Sequence, residues 1–403
     1  MRILLLALPG CLITRAEIDA KDHGSGDADA DADADTDTPP PTDTAGTPAI
    51  AVPPFCPVRY GGGIPVVNGV KEDATSLVGA DVNGDEKIDL AGGKEALFLY
   101  PGLGAGYFSV LTESVPRSLS SLAVGELDDK HFGDEVAVVG GGTLEIANWV
   151  GDAFSFAAPW GEDSTFDAFL VAVVDVNGDG LDDVIVVESG GLVVWSRLLG
   201  AWTPLAPGDP VAGLDQGVAI AQGDLEGDGD PDVAVLSPGG VTIGLGSGAN
   251  VVTHPTTGLS GTLLGATFAD IDGLPGDELV GVGLDGDLVV WRYHALNSAW
   301  TLDQTVADVE EGAFPVYVGA LEFGDGCRAV AVVLPESVRL WWPDGQGALA
   351  TDPTSITLPE FAGVDTFVAA ATSFDADGDG DPDLVAALST GGTAVYTWLL
   401  RPQ

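Results

Sequence analysis

The segment Asp175-Val-Asn177-Gly-Asp179-Gly-Leu-Asp182-Asp183 sets oxygen-bearing side chains at its first, third, fifth and ninth positions. The same spacing recurs as Asp81, Asn83, Asp85 and Asp89, as Asp224, Glu226, Asp228 and Asp232, and as Asp375, Asp377, Asp379 and Asp383. Glycine stands at position four of every copy and at position six of all but the first, where it permits a tight turn without a Cβ clash. Calcium takes six to eight oxygens at roughly 2.3–2.6 Å, and a short loop can aim alternate side chains and one carbonyl at a single point. Lys87, Leu181, Asp230 and Asp381 are placed to supply that carbonyl. Without a cation, several carboxylates crowded into nine residues repel one another. The chemistry expected is Ca2+ binding at about four sites. An EF-hand is excluded, because the twelfth residue from Asp175 is Val186, not a glutamate.

Three weaker copies run from Glu126-Leu-Asp128 to Asp134, from Asp270-Ile-Asp272-Gly to Glu278, and from Glu322 to Arg328. Lys130 stands at the fifth position of the first, where an ammonium can replace a metal, and Leu274 stands at that position of the second. Asp270, Asp272 and Glu278 therefore read as a weaker site, and the Glu322 loop is too short to be one.

The elements that position these loops follow from their period. First positions at 81, 126, 175, 224, 270, 322 and 375 average 49 residues apart, the size of a four-stranded propeller blade. Each loop follows a small-residue apolar strand (Phe169–Val174, Thr366–Ala371) and precedes a β-branched one (Val184–Val187, Val233–Leu236). A third strand comes next (Leu192–Trp195, Leu288–Trp291), then a more polar fourth (Tyr107–Val110, Ala299–Leu302). Apolar runs this short, bounded by turn signals, indicate strands buried on both faces. After Leu400 too little chain remains for a last strand, so the segment Phe55–Val67 is expected to close the ring. The fold class expected is all-β: a seven-bladed β-propeller of four-stranded antiparallel blades, spanning residues 55–403.

This pattern resembles the FG-GAP/VCBS repeat family, the class that includes the calcium-bearing propeller of integrin α subunits. The likeness covers roughly residues 55–403 and rests on the Asp-x-Asp/Asn-Gly-Asp-Gly-x-x-Asp loops and their spacing. It implies calcium in loops on one face of a propeller, and it does not imply integrin function.

Ahead of the repeats, Met1-Arg2 and the apolar run Ile3–Leu8 read as an export signal ending in Leu8-Pro9-Gly10-Cys11. That ending resembles a bacterial lipobox, with residues 1–11 as signal and Cys11 as the lipidated residue. An ordinary cleaved signal is the alternative. Residues 12–54, with alternating Asp and Ala and the run Pro39–Pro41, read as a disordered tether. The localisation expected is the cell envelope, lipid-anchored at the outer membrane or surface of a Gram-negative bacterium, or else secreted. No other apolar run reaches the roughly 18 residues a membrane-spanning helix needs.

With 14 Lys plus Arg against 62 Asp plus Glu, the chain is a poor ligand for phosphate backbones, so no nucleic acid partner is expected. Three cysteines exclude a disulfide-stapled scaffold; Cys56 and Cys327 are the pair that could bridge in an oxidising envelope. The histidines, His23, His131, His254 and His294, are scattered without a nucleophile context, so no catalytic residue is assigned and the chain is read as not an enzyme. Tyr100, Trp149, Trp195, Trp291, Trp341 and Trp398 recur near third-strand ends, where packing between sheets is favoured over sugar stacking, with Trp341-Trp342 the exception. These readings converge on a monomeric interaction or scaffold module for a protein or glycan ligand. A carbohydrate-binding, lectin-like propeller is the alternative, and a hydrolase or lyase is less favoured.

Overall fold

The computed structural model describes residues 58–402, apart from 71–73, 110–112, 117, 128–132, 158–167, 189–190, 199–200, 205–218, 239, 247–250, 255–258, 260, 296–297, 307–308, 310–313, 325, 357, 359–366 and 390–392. The signal, Cys11, the tether, Cys56, His23, Lys130 and His131 lie outside the described residues.

Every regular element among the described residues is a β-strand, and seven sheets have four strands each. The first sheet runs outward from Ser76–Ala80 through Asp89–Gly93 and Ala96–Tyr100 to Glu113–Pro116. The third runs from Ala168–Val174 through Asp183–Glu188 and Gly191–Leu198 to Ala201–Pro204. The remaining sheets repeat this order. In the last, Phe367–Phe374, Asp383–Ser389 and Thr393–Pro402 are joined by Val58–Val70, from the other end of the chain, antiparallel to Thr393–Pro402. Each innermost strand touches that of the next sheet, and Ser76–Ala80 also touches Phe367–Phe374 of the last.

The core lies between sheets. Successive side chains of a strand point to opposite faces, so a strand packed on both faces must be apolar throughout. Along the third sheet's second strand, Val184 and Val186 pack with Val124 and Val136 of the second sheet, whereas Ile185 and Val187 pack with Val233 and Val235 of the fourth. Small residues occur where innermost strands converge: a Cβ on Gly79 would overlap the Phe374 ring, and one on Gly223 would overlap Phe268.

Two expectations are corrected. Tyr107–Phe108 is not the outer strand of the first sheet; it pairs with Gly102–Gly104 in a separate hairpin, and Glu113–Pro116 takes the outer place. That hairpin turns through left-handed backbone at Gly104, Ala105 and Gly106, so the chain folds back before a continuous strand can form. Nor is either of Trp341 and Trp342 free of the core. Trp341 packs between the fifth and sixth sheets and Trp342 between the sixth and seventh, because both faces of this sheet are covered.

Candidate metal centres

Each strong loop joins the first two strands of a sheet, and its ninth-position carboxylate opens the second strand: Asp89, Asp183, Asp232 and Asp383. All four are at most 1% exposed. They reach back to tie the loop. Asp183 accepts from the Val176 amide at 3.2 Å, Asp232 from Leu225 at 2.7 Å, and Asp383 from Ala376 at 3.2 Å. Gly246 and Leu400 of the third strands donate to Asp232 and Asp383 at 2.8 and 2.9 Å, and Gly102, just past the first sheet's third strand, donates to Asp89 at 2.7 Å.

The first-position aspartate folds the turn. One Asp175 oxygen accepts from the amides of Gly178 and Asp179 at 2.7 and 3.2 Å, and the other from Gly180 at 2.8 Å. Asp224 and Asp375 repeat this scheme within 0.1 Å. Positions four and six need left-handed backbone, as at Gly178 with φ 72° and Gly180 with φ 87°. In the first loop Glu86 adopts φ 66° at position six, a conformation that opposes its side chain.

The electrostatics follow from burial. Desolvation raises Asp89 to about 6, Asp183 to about 7, Asp232 to about 7 and Asp383 to about 8. Smaller upward pushes come from the first- and fifth-position carboxylates in the Asp89 and Asp183 loops, from Glu226 and Asp224 on Asp232, and from Asp377 and Asp379 on Asp383. Loops of this kind bury carboxyls whose charge a proton or a cation would relieve. The donor set suits a hard cation: ligand oxygens of Asp375, Asp377 and Asp383 lie within 4.8 Å of one another. Asn83 Oδ1 is buried with no hydrogen-bond partner, an oxygen that a cation would satisfy.

Residues 175–235 match the model of the FG-GAP-like repeat. In structure the chain resembles BBS1N, solved in complex with ARL6DN, with a TM-score of 0.59, 14% identity, and 85% of this chain and 97% of that one covered. It also resembles the β-propeller domain of Cps50 (Swd1) from Myceliophteria thermophila, with a TM-score of 0.52, 12% identity and 84% and 99% covered. The chain has the β-propeller fold, with one segment that matches the FG-GAP-like repeat. A further similar structure is an Agrocybe aegerita lectin recognising non-reducing terminal N-acetylglucosamine, with a TM-score of 0.51, 17% identity and 72% and 81% covered. No curated protein matches the sequence.

The weaker repeats of this propeller depart from the sequence reading in informative ways. In the second, the loop ends at Glu135, not Asp134: Glu135 accepts from the Leu127 amide at 2.9 Å, as Asp183 does from Val176. Asp134 instead donates its amide to the Asp81 carbonyl of the first sheet at 2.8 Å. Asp182 and Asp277 have the same bracing role, each exchanging two hydrogen bonds with the backbone of Glu126 or Asp224 in the preceding sheet at 2.7–2.9 Å. Sequence reasoning assigned these aspartates no role; their place immediately before the ninth-position acid was the available signal.

At the fifth repeat, Asp270, Asp272 and Glu278 do converge within 4.8 Å. Arginines meet them there. Arg292 pairs with Asp272 at 2.7 Å and Glu278 at 3.1 Å, and Arg328 pairs with Asp270. In the short sixth loop Arg328 also pairs with Glu322 at 3.1 Å. Cys327, beside it, is buried and disulfide-bonded.

Proposed function

We propose that this propeller is a calcium-stiffened, non-enzymatic interaction platform, held at the cell envelope by a lipid on Cys11. The observation that carries the calcium reading is the set of buried ninth-position carboxylates, each raised well above its ordinary range and each surrounded by other acids. Asp81, Asn83, Asp85 and Asp89 would hold one ion, and the residues at positions one, three, five and nine of the loops at Asp175, Asp224 and Asp375 would hold the others. Bound calcium would neutralise the crowded charge and cross-link the first two strands of a sheet.

A protein partner is the first choice. The recurring third-strand tryptophans offer little stacking surface: Trp291, Trp341 and Trp398 are at most 5% exposed. A glycan ligand is the second reading, supported by the likeness to the Agrocybe aegerita lectin. Affinity capture from envelope extracts, run beside a glycan array with calcium or EDTA, tests both. A partner retained in calcium and released by EDTA is expected. Absence of bound metal, together with a melting temperature indifferent to EDTA, would overturn the calcium reading. Labelling with an alkyne fatty acid, lost in Cys11→Ser, tests the anchor.

A further inference from the structure

We propose that the fifth repeat carries its cation as a side chain: the Arg292 guanidinium takes the role that an ion has in the strong loops, so this repeat stays locked whatever the calcium concentration. The inference rests on the calcium reading of the other loops, but its decisive measurement does not.

Register supports the assignment. In the fifth sheet and in the four with strong loops the residue after the ninth-position acid faces a third-strand partner: Leu279 opposite Trp291, Leu90 opposite Tyr100, Val184 opposite Trp195, Val233 opposite Gly244 and Leu384 opposite Trp398. The residue that follows that partner is Arg292 in the fifth sheet, but Pro101, Ser196, Leu245 and Leu399 in the sheets with strong loops. The arginine thus stands where the loop has lost a ligand, since its fifth position is Leu274 instead of aspartate. Its contacts are those of a bridging cation: Asp272 at 2.7 Å, Glu278 at 3.1 Å and Asp303 at 3.3 Å. Asp272 and Glu278 are 7% and 3% exposed, and two acids this buried need a compensating positive charge. A planar fork of five N–H donors supplies it while using up the lone pairs that a metal would need.

The sixth repeat carries the substitution further. In its shortened loop the residue that opens the second strand is itself a cation, Arg328, which pairs with Glu322 in its own loop and with Asp270 in the fifth. Two successive repeats that lack ligands are therefore joined by arginine across the gap between sheets. Calcium dependence is distributed unevenly around the propeller: the sheets beginning at Ser76, Ala168, Ala219 and Phe367 depend on it, whereas those beginning at Leu263 and Tyr317 do not.

The test compares wild type with Arg292→Ser, which copies Ser196, and with Leu274→Asp/Arg292→Ser, which also restores the fifth ligand. In EDTA, Arg292→Ser should melt several degrees below wild type, and Arg292→Lys, which keeps the charge but not the fork, should lie between them. By calorimetry, wild type should bind about four calcium ions and the double variant about one more. Calcium should then restore the double variant's melting temperature towards that of wild type. An Arg292→Ser melt equal to wild type in EDTA would refute the proposal. So would a fifth ion bound by wild type, or an unchanged stoichiometry in the double variant. Wild type that binds no calcium would sink the calcium reading, while the EDTA melts would still decide the arginine's role. If the double variant folds only with calcium, that supports the proposal; if it folds in neither condition, the single-variant melts stand as the test.

Discussion

Replacing Asp183 with asparagine should stabilise the metal-free propeller and destabilise the calcium-loaded one. Asp183 is 1% exposed, and burial raises its carboxyl from 3.8 to about 7. A carboxyl whose folded value lies above its unfolded one binds more protons when folded. Stability is therefore lost as pH rises from about 4 to about 7, and the penalty is fully present above that. Three units at about 1.36 kcal/mol each set a ceiling of about 4 kcal/mol. A buried amide still has to be desolvated, so about 2 kcal/mol is a fair expectation for the recovery. Asparagine keeps two of the hydrogen bonds: an oxygen in the Oδ2 place can still accept from the Val176 amide and from Asn177 Nδ2, both at 3.2 Å. Unfolding entropy of about 2 cal/mol/K per residue over a body of about 345 residues gives about 1.4 °C per kcal/mol, hence a rise of about 3 °C in EDTA at pH 8. In calcium at about 1,000 times its dissociation constant, loss of one site removes about 4 kcal/mol. Set against the roughly 2 kcal/mol that the variant recovers, the net loss is about 2 kcal/mol, so the variant should melt about 3 °C below wild type in calcium. Scanning calorimetry in EDTA and in calcium, at pH 5 and pH 8, reads all four values. A variant less stable than wild type in EDTA at pH 8 would refute the reasoning, because it would mean that the buried charge is not a burden without metal.

The same carboxyls make calcium affinity rise with pH from about 6 to about 8, with protons released on binding, which calorimetry in buffers of different ionisation enthalpy measures. Glu86→Gly should stabilise the first loop by up to about 1 kcal/mol, visible as a higher melt, because it removes a side chain from left-handed backbone. Gly79→Val should cost about 3 kcal/mol or more, since its Cβ would enter the Phe374 ring and force the first and seventh sheets apart. Trp398→Ala, at a wholly buried site, should cost about 3–5 kcal/mol in denaturant unfolding.

What could be read from the sequence is what is local and periodic. The spacing of Asp175, Asn177, Asp179 and Asp183 contains the whole turn, because each first-position aspartate bonds amides only three to five residues away. Glycines at positions four and six announce the left-handed backbone they adopt, and an apolar run such as Val184–Val187 announces two covered faces. Repetition every 49 residues then requires sheets that stack on their neighbours.

Only the tertiary structure could decide what depends on contacts between repeats. Asp182 and Asp277 brace the loop of the preceding sheet across more than 50 residues of chain, and no local pattern encodes that reach. The boundary of the second loop moved from Asp134 to Glu135 because the acid that matters is the one whose strand register turns it back on Leu127. Both Trp341 and Trp342 are buried because alternate faces of one strand meet different neighbouring sheets. Arg292 and Arg328 lie 14 and 50 residues beyond Glu278, and convergence of strands brings their charges into its repeat. A sequence states which acids share a loop; which cation answers them, ion or arginine, depends on what the next strand and the next sheet bring within about 3 Å.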